Sequence, residues 1–118
     1  MGLFSRKNKG EDTGMATTYA FEGSMMIDRE EFDEAIETLK KSLALNKRQH
    51  DVVCNLGVCY FKKTLKAIME QGGNNPPNAH QNLDLAEQYF LQALKMKPNY
   101  PTAQANLSKL REYRSMWM

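Results

Sequence analysis

Long apolar runs and an excess of charge of one sign are both missing from this 118-residue chain. No apolar run approaches the roughly 20 residues that a membrane-spanning helix needs, and the N-terminus lacks the apolar segment of a secretory signal. Sixteen basic residues nearly balance 14 acidic ones, whereas nucleic-acid-binding domains are usually strongly basic. We therefore expect one globular domain in the cytoplasm that does not bind nucleic acid.

Cysteine is scarce as well, since only Cys54 and Cys59 occur. Five residues along a helix place them about 140° apart around its axis, so they cannot form a disulfide without unwinding it. His50 lies one turn before Cys54 and could activate the thiol or share a metal with it. No third or fourth ligand has a suitable spacing. We expect no metal, no cofactor and no catalytic residue, with a thiol enzyme kept as an alternative.

A phosphate-binding loop is also missing. Gly72-Gly73 follows a helical pattern and lacks the Lys-Ser or Lys-Thr that would complete such a loop. Glycine tolerates the left-handed backbone of a helix C-cap, so the pair predicts the end of a helix. The polar stretch at 72–79, which contains two prolines, predicts a loop of unknown role.

Apolar residues recur at helical spacing in five segments, which predicts an all-α fold. The third segment is long, because Leu65, Ile68 and Met69 extend its apolar surface by two further turns. The five predicted helices are Thr17 to Ile27, Glu30 to Leu43, His50 to Gln71, Ala79 to Met96 and about 101–116.

Residues 1–16 show no sustained apolar period and predict a flexible N-terminal tail. The tail opens with Met1-Gly2-Leu3-Phe4-Ser5, similar to an N-myristoylation signal, but Arg6 stands where that signal has Ser or Thr. Leu3 and Phe4 could alternatively form a short interfacial anchor. We expect membrane association only if Gly2 is lipidated.

Two glycines stand inside these helical segments at Gly23 and Gly57. A glycine inside a helix costs stability relative to alanine, so a close helix contact is the expected reason for each. Their separation, 57 − 23 = 34, equals the period of a helix-turn-helix repeat. The apolar positions after each glycine can be aligned in the same register. The pattern predicts antiparallel helical hairpins stacked in an array.

This pattern resembles the tetratricopeptide repeat (TPR), a 34-residue unit of two antiparallel helices, A and B. The resemblance implies a short α-solenoid over residues 17–118. Repeat 1 would cover about 16–49, repeat 2 about 50–100, and a capping helix about 101–116. The matching residues of the first unit are Tyr19, Gly23, Phe32, Ala35, Leu39 and Ser42. Those of the second are Val53, Leu56, Gly57, Tyr60, Ala86, Phe90, Ala93 and Pro98.

The second unit is longer than the family pattern. Between Gly57 and Ala86 the chain advances 86 − 57 = 29 positions, where the 34-residue repeat has about 12. The difference is an insertion of about 17 residues, near 64–80, between helices A and B. Such an insertion is also distantly similar to the import receptors of plant mitochondria, which we keep as an alternative.

The TPR resemblance implies a concave groove, lined by helix A residues, that takes a peptide or helix of a protein partner. Its amides would hold a peptide backbone and its lysines would attract carboxylates. The function implied is a non-enzymatic interaction module or adaptor. The predicted groove residues are Cys54, Asn55, Val58, Phe61, Lys62, Ala105, Asn106 and Lys109.

One class of TPR partner is not expected. Members that clamp the C-terminal carboxylate of heat-shock chaperones carry Lys, Asn and Arg at fixed helix A positions. Asn55 fits that pattern, but Ala20 and Ser24 occupy the first-unit positions, and Thr102 and Asn106 occupy the third-unit positions. We therefore expect no chaperone clamp.

A structural subunit is the main alternative function. Two and a half units leave little core, and three are usually needed for stability. The chain could then form a homo-oligomer through its open helical ends, including an exposed C-terminus around Trp117.

Overall fold

The computed structural model describes residues 13–117, and this range consists of five α-helices without a strand. The all-α prediction is confirmed. The helices are α1 (Thr13–Asp28), α2 (Phe32–Leu45), α3 (His50–Glu70), α4 (Ala79–Met96) and α5 (Pro101–Trp117).

The first helix begins four residues earlier than predicted, at Thr13 rather than Thr17. Residues 13–16 therefore belong to α1 and not to a flexible tail. Ala16 is fully buried, and its carbonyl accepts a hydrogen bond from Ser42 Oγ at 2.7 Å. The remaining tail predictions, including lipidation at Gly2, concern residues 1–12 and lie outside the described residues.

Consecutive helices pack as antiparallel pairs. In the first pair, α1 and α2, contacts join residues whose numbers rise on one helix as they fall on the other. Ala16 meets Ser42, and Met26 meets Thr38. In the second pair, α3 and α4, Tyr60 stacks on Tyr89 with ring centroids 5.8 Å apart. Helix α5 packs mainly on α4 and also contacts α3.

Glycine sets the closest approach within each pair. A Cβ added to Gly23 would lie 2.5 Å from Cδ2 of Leu39, and one added to Gly57 would lie 2.6 Å from Cε1 of Phe90. Real Cβ contacts are not that short, so each partner side chain fills the space that a side chain on the glycine would need. The predicted reason for the two glycines is thus confirmed.

The core has two parts that share α3. One side of α3 contributes Leu56 and Cys59 to a cluster with α1 and α2, and another side contributes Cys54 and Phe61 to a cluster with α4 and α5. Val58, Leu43, Tyr60 and Tyr89 contact both clusters. Helix α3 therefore joins the two pairs into one continuous core.

Helix α3 ends where the sequence predicted, at Gly72-Gly73. Both glycines have positive φ, 67° and 93°, and the Gly73 N–H donates to the Ile68 carbonyl at 2.9 Å. This is the hydrogen bond of a glycine-terminated helix. The predicted insertion lengthens α3 through Glu70 and then forms the link at residues 71–78.

Helix α5 closes the C-terminal end with charged contacts. Arg114 pairs with Asp84 at 2.8 Å and with Glu87 at 3.4 Å, and Arg111 pairs with Glu87 at 3.3 Å. These bonds cross from α5 to α4, and most of their partners remain partly exposed. These ion pairs therefore tie α5 to α4.

Candidate partner-binding face

Two of the eight predicted groove residues lie in the core. Cys54 is fully buried, and its Sγ lies 3.9 Å from Nδ2 of Asn106 on α5. Phe61 is buried too, and its ring meets that of Tyr113 edge to face at a centroid distance of 6.5 Å. These contacts hold α3 and α5 side by side, so both residues pack the helices together.

The other six predicted residues keep accessible surface. Lys62, Ala105 and Lys109 are exposed, while Asn55, Val58 and Asn106 are half-buried. They lie on α3 and α5. Cys54 contacts Asn106, and Phe61 contacts Tyr113, and the two residues of each pair are the same number of residues apart in the sequence. The two helices therefore run parallel. The assignment of a groove remains a prediction, and it now rests on these six accessible residues.

The two thiols have the properties of structural cysteines. Burial raises the pKa of the Cys59 thiol to about 12. Burial also raises the pKa of Cys54, against the opposing effect of hydrogen bonds to Asn106 and Tyr100. A reactive cysteine needs a lowered pKa and access to solvent. The His50 ring packs edge to face on Tyr100 at 4.8 Å, and residues 13–117 hold no cluster of metal-ligating side chains.

An open cleft of about 570 Å³ lies beside Lys62, between the α1–α2 turn and the last two turns of α3. Ile27, Phe32, Leu65 and Met69 contribute apolar side chains to its walls, and Met69 is 78% exposed. The charged residues at the cleft are Asp28, Glu30, Lys62, Lys66 and Glu70. Four of the lining residues, at 65, 66, 69 and 70, belong to the predicted insertion.

Sequence reasoning missed this cleft as a site. The apolar extension of α3 was visible in the spacing of Leu65, Ile68 and Met69. The opposing wall was not, because it depends on where the α1–α2 turn lies in space. The insertion makes helix A of the second unit longer than the first helix pair beside it. This difference in length was the sequence signal that could have indicated the cleft.

Two exposed ion pairs hold the extension of α3 against the first pair. Lys66 Nζ lies 3.3 Å from Glu30 Oε1, and Lys63 pairs with Asp33. Pairs as exposed as these are each worth at most about 1 kcal/mol. Among the ion pairs within residues 13–117, none involves Lys62 or Lys109. These two ammonium groups are available to a partner.

A smaller recess of about 300 Å³ lies where the 71–78 link meets the end of α5. Ile68, Gly73, Asn75, Tyr113 and Trp117 line it. The Tyr113 and Trp117 rings are 6.5 Å apart, and Trp117 is 67% exposed. Exposed aromatic rings beside apolar side chains are typical of surfaces that bind other proteins.

In chemical terms, the face offers apolar recesses, side-chain amides and two ammonium groups that have no ion pair within residues 13–117. Such a surface can take an apolar side chain and a carboxylate from the same segment of a partner. No helix within residues 13–117 is long and apolar enough to cross a membrane.

Comparison with known proteins agrees with the helix-pair geometry. Residues 81–100 match the family model of the tetratricopeptide repeat. This segment covers most of α4 and the turn that leads into α5. No curated protein matches the chain.

Among solved structures, the chain is similar to the first TPR of Spaghetti (RPAP3) bound to the HSP90 peptide SRMEEVD. The two share 20% identity over 89% of this chain and 97% of that one, with a TM-score of 0.45. The glycine-mediated pairing of α1 with α2 and of α3 with α4, together with the family match on α4, makes the helix arrangement of this chain similar to that of tetratricopeptide repeats.

Proposed function

We propose that this protein is a non-enzymatic adaptor that holds a segment of another protein against the exposed face of α3 and α5. The observation that carries the proposal is the position of Lys62. Its ammonium group is exposed and has no ion pair within residues 13–117, and the apolar cleft opens beside it.

The chemistry of the face indicates the kind of segment that would bind. An apolar side chain would enter the cleft against Leu65 and Met69, where it would be removed from water. Acidic residues of the same segment would lie near Lys62 and Lys109. The half-buried amide of Asn55 could exchange hydrogen bonds with its backbone.

A chaperone C-terminus fits this face poorly. The positions that would hold its terminal carboxylate carry Ala20, Ser24, Thr102 and Asn106, none of which is charged. The Asn106 amide is also turned toward Cys54. We therefore propose an internal acidic and apolar segment as the ligand rather than a free C-terminal carboxylate.

A charge-reversal experiment tests the proposal. The partner is first recovered by affinity capture and identified by mass spectrometry, and its binding is then titrated. The variant Lys62→Glu with Lys109→Glu should bind at least tenfold more weakly, because two attractive charges become repulsive. Its far-UV circular dichroism should be unchanged, since both side chains are exposed.

The matched control is Lys47→Glu with Lys95→Glu. Lys47 lies in the α2–α3 link and Lys95 in the last turn of α4, so the change in net charge is the same but the α3–α5 face is untouched. The control should bind like the parent protein. Equal affinity of both double variants for the partner would overturn the proposed site.

The proposed location is the cytoplasm. Two unpaired thiols, Cys54 and Cys59, support a reducing compartment.

A further inference from the structure

Helix α1 is unusually poor in charge. It carries two charged residues, Glu22 and Asp28, the second of them at its last position, whereas each of the other four helices carries at least three Asp, Glu, Lys or Arg residues. Yet α1 is the terminal helix of the described array and has a helix on one side only. Terminal elements of repeat arrays normally present a polar outer face.

The outward side of α1 carries a regular seam. Gly14, Thr18, Phe21 and Met25 are spaced four, three and four residues apart, which is the spacing of the contact positions in a two-stranded coiled coil. At 100° per residue this seam lies roughly opposite Gly23, which faces Leu39 of α2. All four seam residues are exposed, Phe21 by 65% and Met25 by 43%.

The polar atoms of the seam already have partners. The Thr18 hydroxyl donates to the Gly14 carbonyl at 3.2 Å, and the neighbouring Thr17 hydroxyl donates to the Thr13 carbonyl at 2.7 Å. These hydroxyls therefore lose little when water is removed from the surface. The seam can be buried against an apolar partner at low cost.

The seam is complementary to itself. When two copies of α1 cross antiparallel about a two-fold axis between residues 19 and 20, Phe21 of one lies opposite Thr18 of the other. Met25 lies opposite Gly14 in the same way. Each large side chain then faces a small one, as packing of side chains between two close helices requires. A two-fold interface needs this property, because the same patch must serve both subunits.

We propose that the seam of Gly14, Thr18, Phe21 and Met25 docks a second copy of this chain, giving an antiparallel α1–α1 dimer. Charge does not oppose the contact, since the seam itself is uncharged. Residues 1–12 are a less suitable cover, because five of these twelve residues are charged. The α3–α5 face is not used in the dimer, so the inference does not depend on the proposed function.

Sedimentation equilibrium over about 1 to 100 µM protein tests the dimer, because a contact formed by one helix from each subunit is small and should dissociate in this range. The full chain should show a reversible monomer–dimer equilibrium. A monomer at every concentration would overturn the proposal, as would a dimer that forms only after residues 1–12 are removed.

A pair of substitutions tests the large-to-small pairing itself. Thr18→Phe should weaken the dimer at least tenfold, because the phenylalanine introduced at position 18 then clashes with Phe21 of the other copy. Phe21→Thr should weaken it by a similar factor, because two threonines leave a gap. The double variant Thr18→Phe with Phe21→Thr exchanges the two side chains and should restore the dimerisation constant to within a few fold.

These variants separate the seam from general apolar stickiness. A non-specific surface would associate more strongly when Thr18 becomes phenylalanine, and that result would contradict the proposal. Leu91→Thr on α4, at a residue 44% exposed, is the matched control and should leave the equilibrium unchanged. Circular dichroism should show native helix content for all variants, since Thr18, Phe21 and Leu91 are exposed.

Discussion

In both helix pairs a glycine of the first helix packs against a large side chain of the second helix. The pairs differ in how far the chain continues beyond this contact. In the first pair Gly23 lies under Leu39, and in the second Gly57 lies under Phe90. The first pair then turns within three residues, 29–31, with Glu30 at a positive φ of 59°. The second extends α3 to Glu70 and links to α4 through residues 71–78. The glycine contact fixes the helix spacing, so the length beyond it is free to vary, and the cleft forms where the second pair outgrows the first.

The largest expected difference in stability between the pairs concerns the side chains that pack on the two glycines. Phe90→Ala should lower the free energy of unfolding by about 3–5 kcal/mol, since the ring is fully buried in the cluster shared by α3, α4 and α5. Leu39→Ala should cost less, about 2–3 kcal/mol, because no helix within residues 13–117 covers the outer side of α1, which can relax into the space. Urea denaturation of the two variants measures both values. A larger loss for Leu39→Ala would make the first pair the more rigid one.

A smaller difference is expected at the glycines themselves. A Cβ at Gly57 would lie 2.6 Å from the Phe90 ring and 3.1 Å from the Ala86 carbonyl oxygen, so neither a bulky ring nor backbone can easily yield. At Gly23 the closest atoms belong to the end of the Leu39 side chain, and the nearest carbonyl oxygen is 3.7 Å away. Gly57→Ala should therefore cost about 1–3 kcal/mol by overpacking. Gly23→Ala should cost less, about 1 kcal/mol, because the end of the Leu39 side chain can rearrange and the gain in helix propensity offsets part of the overpacking.

The two cysteines can test this prediction separately in each helix pair. Cys59 belongs to the cluster of the first pair and Cys54 to that of the second. In single-cysteine variants, native-state labelling at pH 8 should be slow at both thiols, because burial raises both pKa values. Gly57→Ala should accelerate labelling of Cys54 more than Gly23→Ala accelerates labelling of Cys59. Equal acceleration would remove the distinction between the pairs.

Local patterns predicted much of the fold. The helical periods and the Gly72-Gly73 signal located five helices, and α4 has the predicted bounds Ala79–Met96. The start of α1 was wrong because Thr13 to Ala16 show no apolar period, and the burial of Ala16 depends on Ser42 of another helix.

The candidate site was harder to predict because it depends on how helices lie beside one another. The repeat register placed Cys54 and Phe61 on the same side of α3 as Asn55, but α5 covers the first two. The cleft beside Lys62 requires the α1–α2 turn as its second wall. Neither contact leaves a periodic signal in the sequence.

Site-specific photocrosslinking tests most directly whether the partner lies on the α3–α5 face and in the cleft. A photoreactive benzoylphenylalanine is placed at Ala105 on that face, at Met69 in the cleft, or at Leu91 on α4, in cells that make the protein; all three positions are exposed. We expect one partner to be crosslinked from positions 105 and 69, Lys62→Glu with Lys109→Glu to abolish both crosslinks, and position 91 to yield none. Crosslinking of the partner from position 91 alone, or equally from all three positions, would contradict it.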